Sequence, residues 1–266
     1  MTQRDNTFWV FNGGLIPYAD AFELQRRLVE ARKLGAIPDV LFLCEHPHVI
    51  TLGRNGKIEH LRASNRVLTQ MNVEFQPTDR GGDITYHGPG QLVGYPILDL
   101  TEHRRDVRWY VNQLEEVMIR ATADFGVPAK RLKGCHGVWI DTPAGEEKIA
   151  ALGVHLSRWV TSHGFAYNVS TDLRYFDLIV PCGIADKRAT SLERVLDGPV
   201  LLEEVLLQLV AHFGDVFRRD VITVSREFLE VSLAAHSNAE AFPSGHQEYS
   251  PGAKKAVAAA PELAEY

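Results

Sequence analysis

The 266-residue sequence contains few cysteines and no long apolar run, and each shortage excludes a class of protein. The three cysteines, Cys44, Cys135 and Cys182, are an odd number without a close pair, so they predict neither a disulfide framework nor a CxxC metal site. No uncharged apolar run approaches the ~20 residues that a membrane helix needs. The first residues show no signal-peptide or transit-peptide pattern. We therefore expect a cytoplasmic protein with no membrane partner.

The sequence also lacks an excess of basic residues. Lys plus Arg number 28 against 34 Asp plus Glu, for a formal net charge of −6. Proteins that coat nucleic acid draw most of their affinity from phosphate neutralisation, so this charge argues against a nucleic-acid partner. Basic residues still cluster at three places, which either a solvated surface or an acidic protein partner would explain. The clusters are Arg54, Lys57, Arg62 and Arg66; Arg104, Arg105 and Arg108; and Lys130, Arg131 and Lys133.

Apolar spacing predicts helices over residues 20–34, 106–125 and 201–217, the first capped by Asp20 and stopped by Gly35. Short apolar runs between turn residues predict strands. The expected strands are Val40–Cys44, Val49–Leu52, Gly137–Ile140, Lys148–Leu156 and Phe165–Val169. Strands mixed with helices, without regular βαβ alternation, favour an α/β or α+β fold in which a mixed β-sheet is flanked by helices.

The last 35 residues differ from the rest of the chain in composition. Residues 232–266 are rich in alanine, proline and serine and poor in large apolar side chains. Such a segment buries too little surface to offset its ordering entropy. We therefore expect a catalytic or binding domain over residues 1–231 and a disordered C-terminal tail over residues 232–266.

One stretch is far richer in glycine than the rest of the chain. It reads RGGDITYHGPGQLVGYP from Arg80 to Pro96, and glycines let a backbone approach a ligand closely. Its spacing matches neither GxGxxG nor GxxxxGKS/T, so it predicts no nucleotide-binding loop. Taken alone, a structural hairpin explains the stretch as well as a substrate-binding loop does.

Lys148 and Cys182 stand in settings that suit chemistry. Lys148 precedes the small and apolar run IAALGV, where it could be a surface residue at a strand entry or a partly desolvated amine beside a reactive group. Cys182 lies between Pro181 and Gly183 after an apolar run, a pattern typical of a strand that breaks into a tight turn. Such a turn would present the thiol beside backbone N–H groups that could bind an oxyanion, whereas an inert buried cysteine is the ordinary alternative.

Together these stretches resemble the motif set of the lipoyl (octanoyl) transferases, a family of the biotin/lipoyl protein ligase superfamily. The matching segments are RGGDITYHGPGQL from Arg80, KIAALGV from Lys148, HGFAYNV at 163–169, PCGI at 181–184, EHPHVITLGR at 45–54 and GVWI at 137–140. Several motifs in the same order are far more specific than any one of them. The resemblance extends from about Phe8 to Leu209 and implies a biotin/lipoyl protein ligase-like catalytic domain.

The resemblance also implies an activity, the first step of endogenous protein lipoylation. An octanoyl (or lipoyl) group would move from acyl carrier protein, through a thioester on Cys182, to a lysine of a lipoyl domain. Lys148 would favour the thiolate of Cys182 and later take a proton from the incoming amine. The expected acceptors are the lipoyl domains of 2-oxoacid dehydrogenase complexes and the H protein of glycine cleavage. Since each step is thermoneutral or downhill, we expect no ATP and no cofactor beyond the phosphopantetheine that the donor carries.

By the same resemblance, the glycine-rich loop and two segments of small and apolar residues would line the acyl and pantetheine channel. The expected substrate-binding residues are Arg80, Gly81, Gly82, Asp83, Ile84, Thr85, Tyr86 and His87 in the loop, Ala151, Leu152 and Gly153 after Lys148, and Gly164, Phe165 and Ala166 in the HGFAYNV motif.

Two other functions remain open at this stage. An ATP-dependent lipoate or biotin protein ligase of the same fold would use the loop and the lysine for an acyl-adenylate and would not need Cys182. A catalytically silent module would bind lipoyl domains without forming an acyl-enzyme. A requirement for ATP or for Cys182 would separate these alternatives.

Two groups of cysteine and histidine residues mimic reactive sites. Cys44, His46 and His48 alternate as metal ligands could, but Pro47 interrupts the strand and no fourth ligand is near in sequence, so we expect no metal. Cys135 adjoins His136, but neighbouring residues of a strand point to opposite faces, so we expect this thiol to be inert. Cys135 also departs from the family, which often has a basic residue near this position.

Overall fold

The structure is a computed structural model that describes residues 6–180 and 188–237. The strands of the described chain are β1 (Thr7–Leu15), β2 (Asp39–Glu45), β3 (Val49–Leu52), β4 (Glu74–Pro77), β5 (Ile84–His87), β6 (Gln91–Ile97), β7 (Ala129–Leu132), β8 (Cys135–Thr142), β9 (Gly145–Ser157), β10 (Val160–Asn168), β11 (Arg188–Ala189) and β12 (Asp220–Thr223). The α-helices are α1 (Tyr18–Lys33), α2 (Asn65–Gln70), α3 (Val107–Asp124), α4 (Leu192–Leu196), α5 (Leu202–Phe217) and α6 (Arg226–Ser237). Short 3₁₀ helices cover Ile58–His60 and Leu173–Leu178.

Most strands form one large mixed sheet, which confirms the expected fold class. Its order is β12-β1-β2-β6-β10-β9-β8-β7, with the short β11 paired to β9. The pairs β1/β12, β1/β2 and β9/β11 are parallel, and the remaining pairs are antiparallel. A smaller sheet of order β4-β3-β5 stands apart from it. The predicted strands Val40–Cys44 and Val49–Leu52 therefore belong to different sheets.

Helices cover both faces of the large sheet, and strand β2 shows how the sequence specifies this. Its residues Leu41 and Leu43 pack into the apolar cluster formed with α3 and α5. The alternate residues Val40, Phe42 and Cys44 pack into a second cluster, formed with α1 and α6. A strand buried on both faces is a continuous apolar run, as this one is.

The three predicted helices are confirmed to within two residues at each end. Helix α1 begins at Tyr18 after Pro17, so Asp20 lies in its first turn and does not cap it. Gly35 stops this helix in the left-handed conformation, with φ of +67°. Helix α3 begins after Asp106, whose side chain accepts a hydrogen bond from the Trp109 N–H.

The structure corrects two sequence-based expectations about chain organisation. The glycine-rich stretch is not a single hairpin, because β5 belongs to the small sheet and β6 is a fully buried strand in the middle of the large sheet. The boundary expected at residue 231 falls inside α6, because Leu229 and Leu233 lie four residues apart and both pack in the cluster that includes α1. The remainder of the expected tail, residues 238–266, lies outside the described residues.

Among the residues described, no helix is both long and apolar enough to cross a bilayer.

A buried ion-pair network joins α1, β2 and the segment after β6. Asp39 accepts hydrogen bonds from Arg32 Nε at 2.8 Å and from His103 Nε2 at 2.6 Å. Arg32 also pairs with Glu102, at 2.7 Å. Burial by itself would raise the pKa of Asp39, but the hydrogen bond from His103 and the charge of Arg32 outweigh it and lower this pKa. Asp39 therefore stays ionised at neutral pH, opposite the charge of Arg32.

We expect Asp39→Ala to lower the free energy of unfolding by about 3 kcal/mol, because it leaves buried donors of Arg32 and His103 without an acceptor. Urea denaturation measures this loss. Glu23→Ala is the matched control, since the Glu23–Arg26 ion pair is exposed and should contribute less than about 1 kcal/mol. Equal losses in the two variants would contradict the structural role given to Asp39.

Candidate active site

A cavity of about 420 Å³ gathers the sequence motifs at one place. Its volume lies in the ~300–1,000 Å³ range of small-molecule sites. The predicted residues that line it are Arg80, Gly82, Asp83, Ile84, Thr85, His87, Lys148, Ala151, Leu152, Gly153, Gly164, Phe165 and Ala166. A larger groove of about 740 Å³ runs beside α1 and is lined mainly by residues of that helix, but it contains none of the predicted site residues.

The cavity wall depends on close backbone packing between the glycine-rich loop and β9. The Gly81 N–H donates to the Val154 carbonyl at 3.0 Å. A Cβ added at Gly153 would lie 2.8 Å from the Gly81 carbonyl oxygen, closer than real Cβ atoms come. Both positions therefore require glycine if the loop is to lie directly on the strand.

Arg80 fastens the same loop to the small sheet. Its Nε donates to Thr51 Oγ1 at 3.1 Å, and its Nη2 donates to the Thr51 carbonyl at 2.7 Å. The side chain is only 8% exposed, so its charge is held at the wall of the cavity and not in bulk solvent. Arg80 thus positions the loop and places a fixed positive charge beside the cavity.

Lys148 is half-buried in β9, where its strand neighbours shape its surroundings. Its Nζ lies 4.7 Å from the ring centroid of Trp139, which faces it on β8. A Cβ added at Gly137 would lie 3.3 Å from Lys148 Cε, so the glycine leaves room for the lysine stem. On its other side Lys148 faces Ala189 of β11, where the described chain resumes after residues 181–187. A lysine whose stem is packed in this way presents its amine in a narrow range of positions.

Another wall of the cavity contains His87, whose ring is oriented by Gln91 and stacked on Tyr18. Gln91 Nε2 donates to the Tyr86 carbonyl and to Asn168, which turns its Oε1 toward His87. The Nδ1 of His87 therefore donates to that oxygen, at 2.8 Å, and its Nε2 keeps a lone pair. The imidazole ring of His87 stacks on Tyr18, with 6.2 Å between ring centroids.

A pair of histidines holds the residue that precedes the loop. The carboxylate of Asp79 accepts from His163 Nε2 at 2.7 Å and from His155 Nδ1 at 2.8 Å. The hydrogen bond from His163 is the main reason that the pKa of Asp79 is well below its usual value. Burial lowers the pKa of His163, which lines the cavity, so a neutral donor faces the carboxylate.

Two predicted binding residues do not line the cavity. Gly81 is turned onto Val154, as described above. Tyr86 points to the opposite side of β5, because successive strand residues face opposite ways. Its hydroxyl lies 2.8 Å from His48 Nδ1, and its ring stacks on Tyr175 at 5.0 Å. The predicted nucleophile Cys182 lies outside the described residues.

The cavity also has walls that sequence reasoning missed. Tyr18, Asn55, Val93, Tyr95 and Gly134 line it. Val93 and Tyr95 lie inside the glycine-rich stretch, so the sequence motif could have identified them. Tyr18 begins α1, where no sequence motif marks it as a binding residue. Cys135 and His136, expected to be inert, line the cavity as well.

The alternating Cys44, His46 and His48 do not converge on one point. His46 Nδ1 donates to the Ile16 carbonyl at 2.8 Å, and its Nε2 accepts from the Tyr95 hydroxyl at 2.7 Å. His48 instead stacks on Tyr175 of the 3₁₀ helix Leu173–Leu178, with 4.1 Å between ring centroids. Within residues 6–180 and 188–237, no group of three or more His, Cys, Asp or Glu side chains could hold a metal ion.

The buried histidines predict a loss of stability in acid. Burial lowers the pKa of His46 to about 4 and that of His87 to about 3. An unfolded histidine has a pKa of ~6.5. Because the folded-state pKa is the lower one, the stabilisation is complete above pH ~6.5 and is lost as the pH falls. Each histidine should remove about 2 kcal/mol from the free energy of unfolding between pH 7 and pH 5.

Urea denaturation at pH 7, 6 and 5 checks this, with His87→Asn as the test variant. We expect that variant to lose stability less steeply with acid than the wild type, whatever its stability at pH 7. His136→Asn, at an exposed position, should keep the wild-type slope. An unchanged slope in His87→Asn would mean that His87 is not held neutral.

Comparison with known proteins shows the family of the chain. Residues 17–214 match the family model of the lipoyl protein ligase A/B catalytic domain. The chain is 54% identical over 204 residues to an octanoyltransferase of Solibacter usitatus, covering 77% of this chain and 90% of that one. It is 51% identical over 216 residues to an octanoyltransferase of Koribacter versatilis, covering 80% and 85%.

Solved structures share the fold at low sequence identity. A bipartite lipoate protein ligase studied with its E2 lipoyl domain, from Thermoplasma acidophilum, superposes with a TM-score of 0.67 at 16% identity, covering 88% of this chain and 92% of that one. A lipoate-protein ligase A bound with ATP gives 0.63 at 14% identity, covering 87% and 93%. The chain therefore belongs to the lipoyl protein ligase A/B catalytic domain family, as an enzyme of its octanoyltransferase group.

Proposed function

We propose that this protein transfers an octanoyl group from acyl carrier protein to a lysine of a lipoyl domain, through a thioester on Cys182. The observation that carries the proposal is the cavity in which three separate motifs meet around Lys148. Its lining combines the half-buried Leu152 and the buried Phe165 with the glycine-rich loop, as a linear acyl chain requires. Burial of an eight-carbon chain there would contribute ~25 cal/mol per Å² of apolar surface.

The first half of the reaction forms the acyl-enzyme. The thiolate of Cys182 attacks the thioester carbonyl of the donor, and the bond to the pantetheine sulfur breaks. The leaving pantetheine thiolate takes a proton from the ammonium of Lys148. The products are the Cys182 thioester, a free pantetheine thiol and a neutral Lys148.

The second half transfers the octanoyl group. The neutral amine of the acceptor lysine attacks the Cys182 thioester and gives up one proton to Lys148. Cys182 leaves as a thiolate, so the original ion pair is restored and an amide is formed. Both halves exchange an acyl group without a phosphoryl donor, so we propose that no ATP is used. The proposed setting is the cytoplasm, with lipoyl domains of 2-oxoacid dehydrogenase complexes and the glycine cleavage H protein as acceptors.

Intact-protein mass spectrometry after incubation with octanoyl-acyl carrier protein, without ATP, tests the intermediate. We expect one hydroxylamine-labile octanoyl adduct on the wild type and on Cys135→Ser, and none on Cys182→Ser. Cys135→Ser is the matched control because Cys135 is a second thiol at the cavity. No adduct on the wild type, with lipoyl-domain modification only when octanoate and ATP are added, would favour a ligase and contradict the proposal.

Substitution of Lys148 should separate its two roles. Lys148→Met removes the charge and the proton acceptor, and we expect both half-reactions to slow by ~100-fold or more. Lys148→Arg keeps a positive charge but can neither give nor take a proton. The acyl-enzyme should still form, because the charge favours the Cys182 thiolate and the pantetheine thiolate can leave as an anion and take its proton from water, whereas transfer to the acceptor amine, which must lose a proton, should slow more. Rapid-quench assays measure the two steps.

Lys130→Met, at an exposed lysine two strands away, is the control and should leave both steps unchanged. Equal slowing of both half-reactions in Lys148→Arg would argue that Lys148 does not take the proton from the incoming amine.

A further inference from the structure

The three basic clusters differ in the ion pairs that their side chains form within residues 6–180 and 188–237. In the other two, Arg104 pairs with Asp106 at 3.0 Å, Lys130 with Asp141 at 2.7 Å, and Arg131 with Glu115 at 3.0 Å. Within the described part of the chain, no ion pair engages the side chains of the first cluster, all of which are exposed. Its members are Arg54, Lys57, Arg62 and Arg66.

The backbone places this cluster at the mouth of the cavity. The Arg54 N–H donates to the Arg80 carbonyl at 3.0 Å, and the Lys57 N–H donates to the Asp83 carboxylate at 3.2 Å. Between them, Asn55 lines the cavity. The segment that carries these cations is therefore hydrogen-bonded directly to the loop that forms the cavity wall.

Lys133 and Ile58 are two further exposed residues next to this part of the cavity. Lys133 is exposed in the turn between β7 and β8, next to Gly134, which also lines the cavity, and no ion pair within the described residues engages it. Ile58, the residue after Lys57, is 54% exposed, although a large apolar side chain is usually buried. Cations around an exposed apolar side chain make a surface suited to an acidic protein.

We propose that Arg54, Lys57 and Lys133 form a cationic rim that docks the acyl-carrier donor. This inference rests on the proposed function, because it assigns a surface to one of the two partners of that reaction. The whole chain carries a formal charge of −6, so its overall field repels an acidic partner. Only a local cationic surface can draw such a partner to the cavity.

The chemistry of the two partners favours the donor over the acceptor at this rim. A phosphopantetheine arm carries a phosphodiester at its protein end, and that anion lies at the mouth when the thioester is inside the cavity. The acceptor instead presents a lysine amine, which gains nothing from neighbouring cations. The positive charges of Arg54 and Lys57 therefore complement the phosphodiester of the arm as well as an acidic carrier surface.

Binding measurements test the rim without requiring turnover. Fluorescence anisotropy with labelled octanoyl-acyl carrier protein and the Cys182→Ser background gives the Kd. We expect Arg54→Gln/Lys57→Gln to raise the Kd about ten-fold and to flatten its dependence on salt. The matched double variant Arg104→Gln/Arg120→Gln removes the same charge from exposed positions that do not line the cavity, and it should leave the Kd unchanged.

Turnover by the same variants with Cys182 intact distinguishes a loss of carrier docking at the rim from damage to the acyl site. We expect the rim double variant to lose kcat/KM with the carrier-bound donor, and to keep wild-type kcat/KM with octanoyl-pantetheine, which has neither carrier nor phosphate. Unchanged Kd, equal loss with both donors, or an effect only on the KM of the lipoyl domain would overturn the rim. Failure of the wild type to form an octanoyl adduct from either donor would instead overturn the proposed function, whatever the Kd values.

Discussion

The contact between Gly81 and the Gly153–Val154 segment is the constraint on which the site depends. It joins the glycine-rich loop to β9 by a direct backbone hydrogen bond of 3.0 Å, with no side chain between them. Arg80, fixed to Thr51, ties the same loop to the small sheet. The two sheets are thus held at one separation, and the cavity beside Lys148 is the space that this separation leaves. A side chain at Gly81 or Gly153 would therefore change the shape of the cavity even if every reacting group stayed the same.

The main helices and most residues of the cavity wall were predictable from the sequence, because apolar spacing and short motifs are local properties of the chain. Periodicity predicted α1, α3 and α5, and motif resemblance predicted most residues that line the cavity. Pattern reasoning could not foresee that β5 and β6 belong to different sheets, since that depends on pairing between distant segments. It also missed α6. This helix has few apolar residues, but Leu229 and Leu233 stabilise it by packing in the same cluster as α1, a contact between segments distant in sequence. Tyr86 shows the remaining difficulty, because a residue inside a binding motif can face the opposite side of its strand.

Charge is distributed differently inside and outside the cavity. Its inner wall holds histidines that burial keeps neutral, such as His87, and a guanidinium that is fixed by hydrogen bonds. Because His87 is neutral and the guanidinium of Arg80 does not give up its proton, Lys148 is the group placed to exchange protons. At the mouth, by contrast, Arg54 and Lys57 are exposed and available to a charged partner. The cavity therefore has a guanidinium held by hydrogen bonds at its wall and exposed cations at its edge, where they can attract a charged partner.

The central claim is that the acyl chain attached to Cys182 occupies the cavity between the glycine-rich loop and strands β9 and β10. A crystal structure of the octanoylated protein tests it most directly. The account predicts continuous electron density from the sulfur of Cys182 into the cavity, with the chain in contact with Leu152 and Phe165. An octanoyl chain attached to Cys135, or one lying in the groove beside α1, would contradict it.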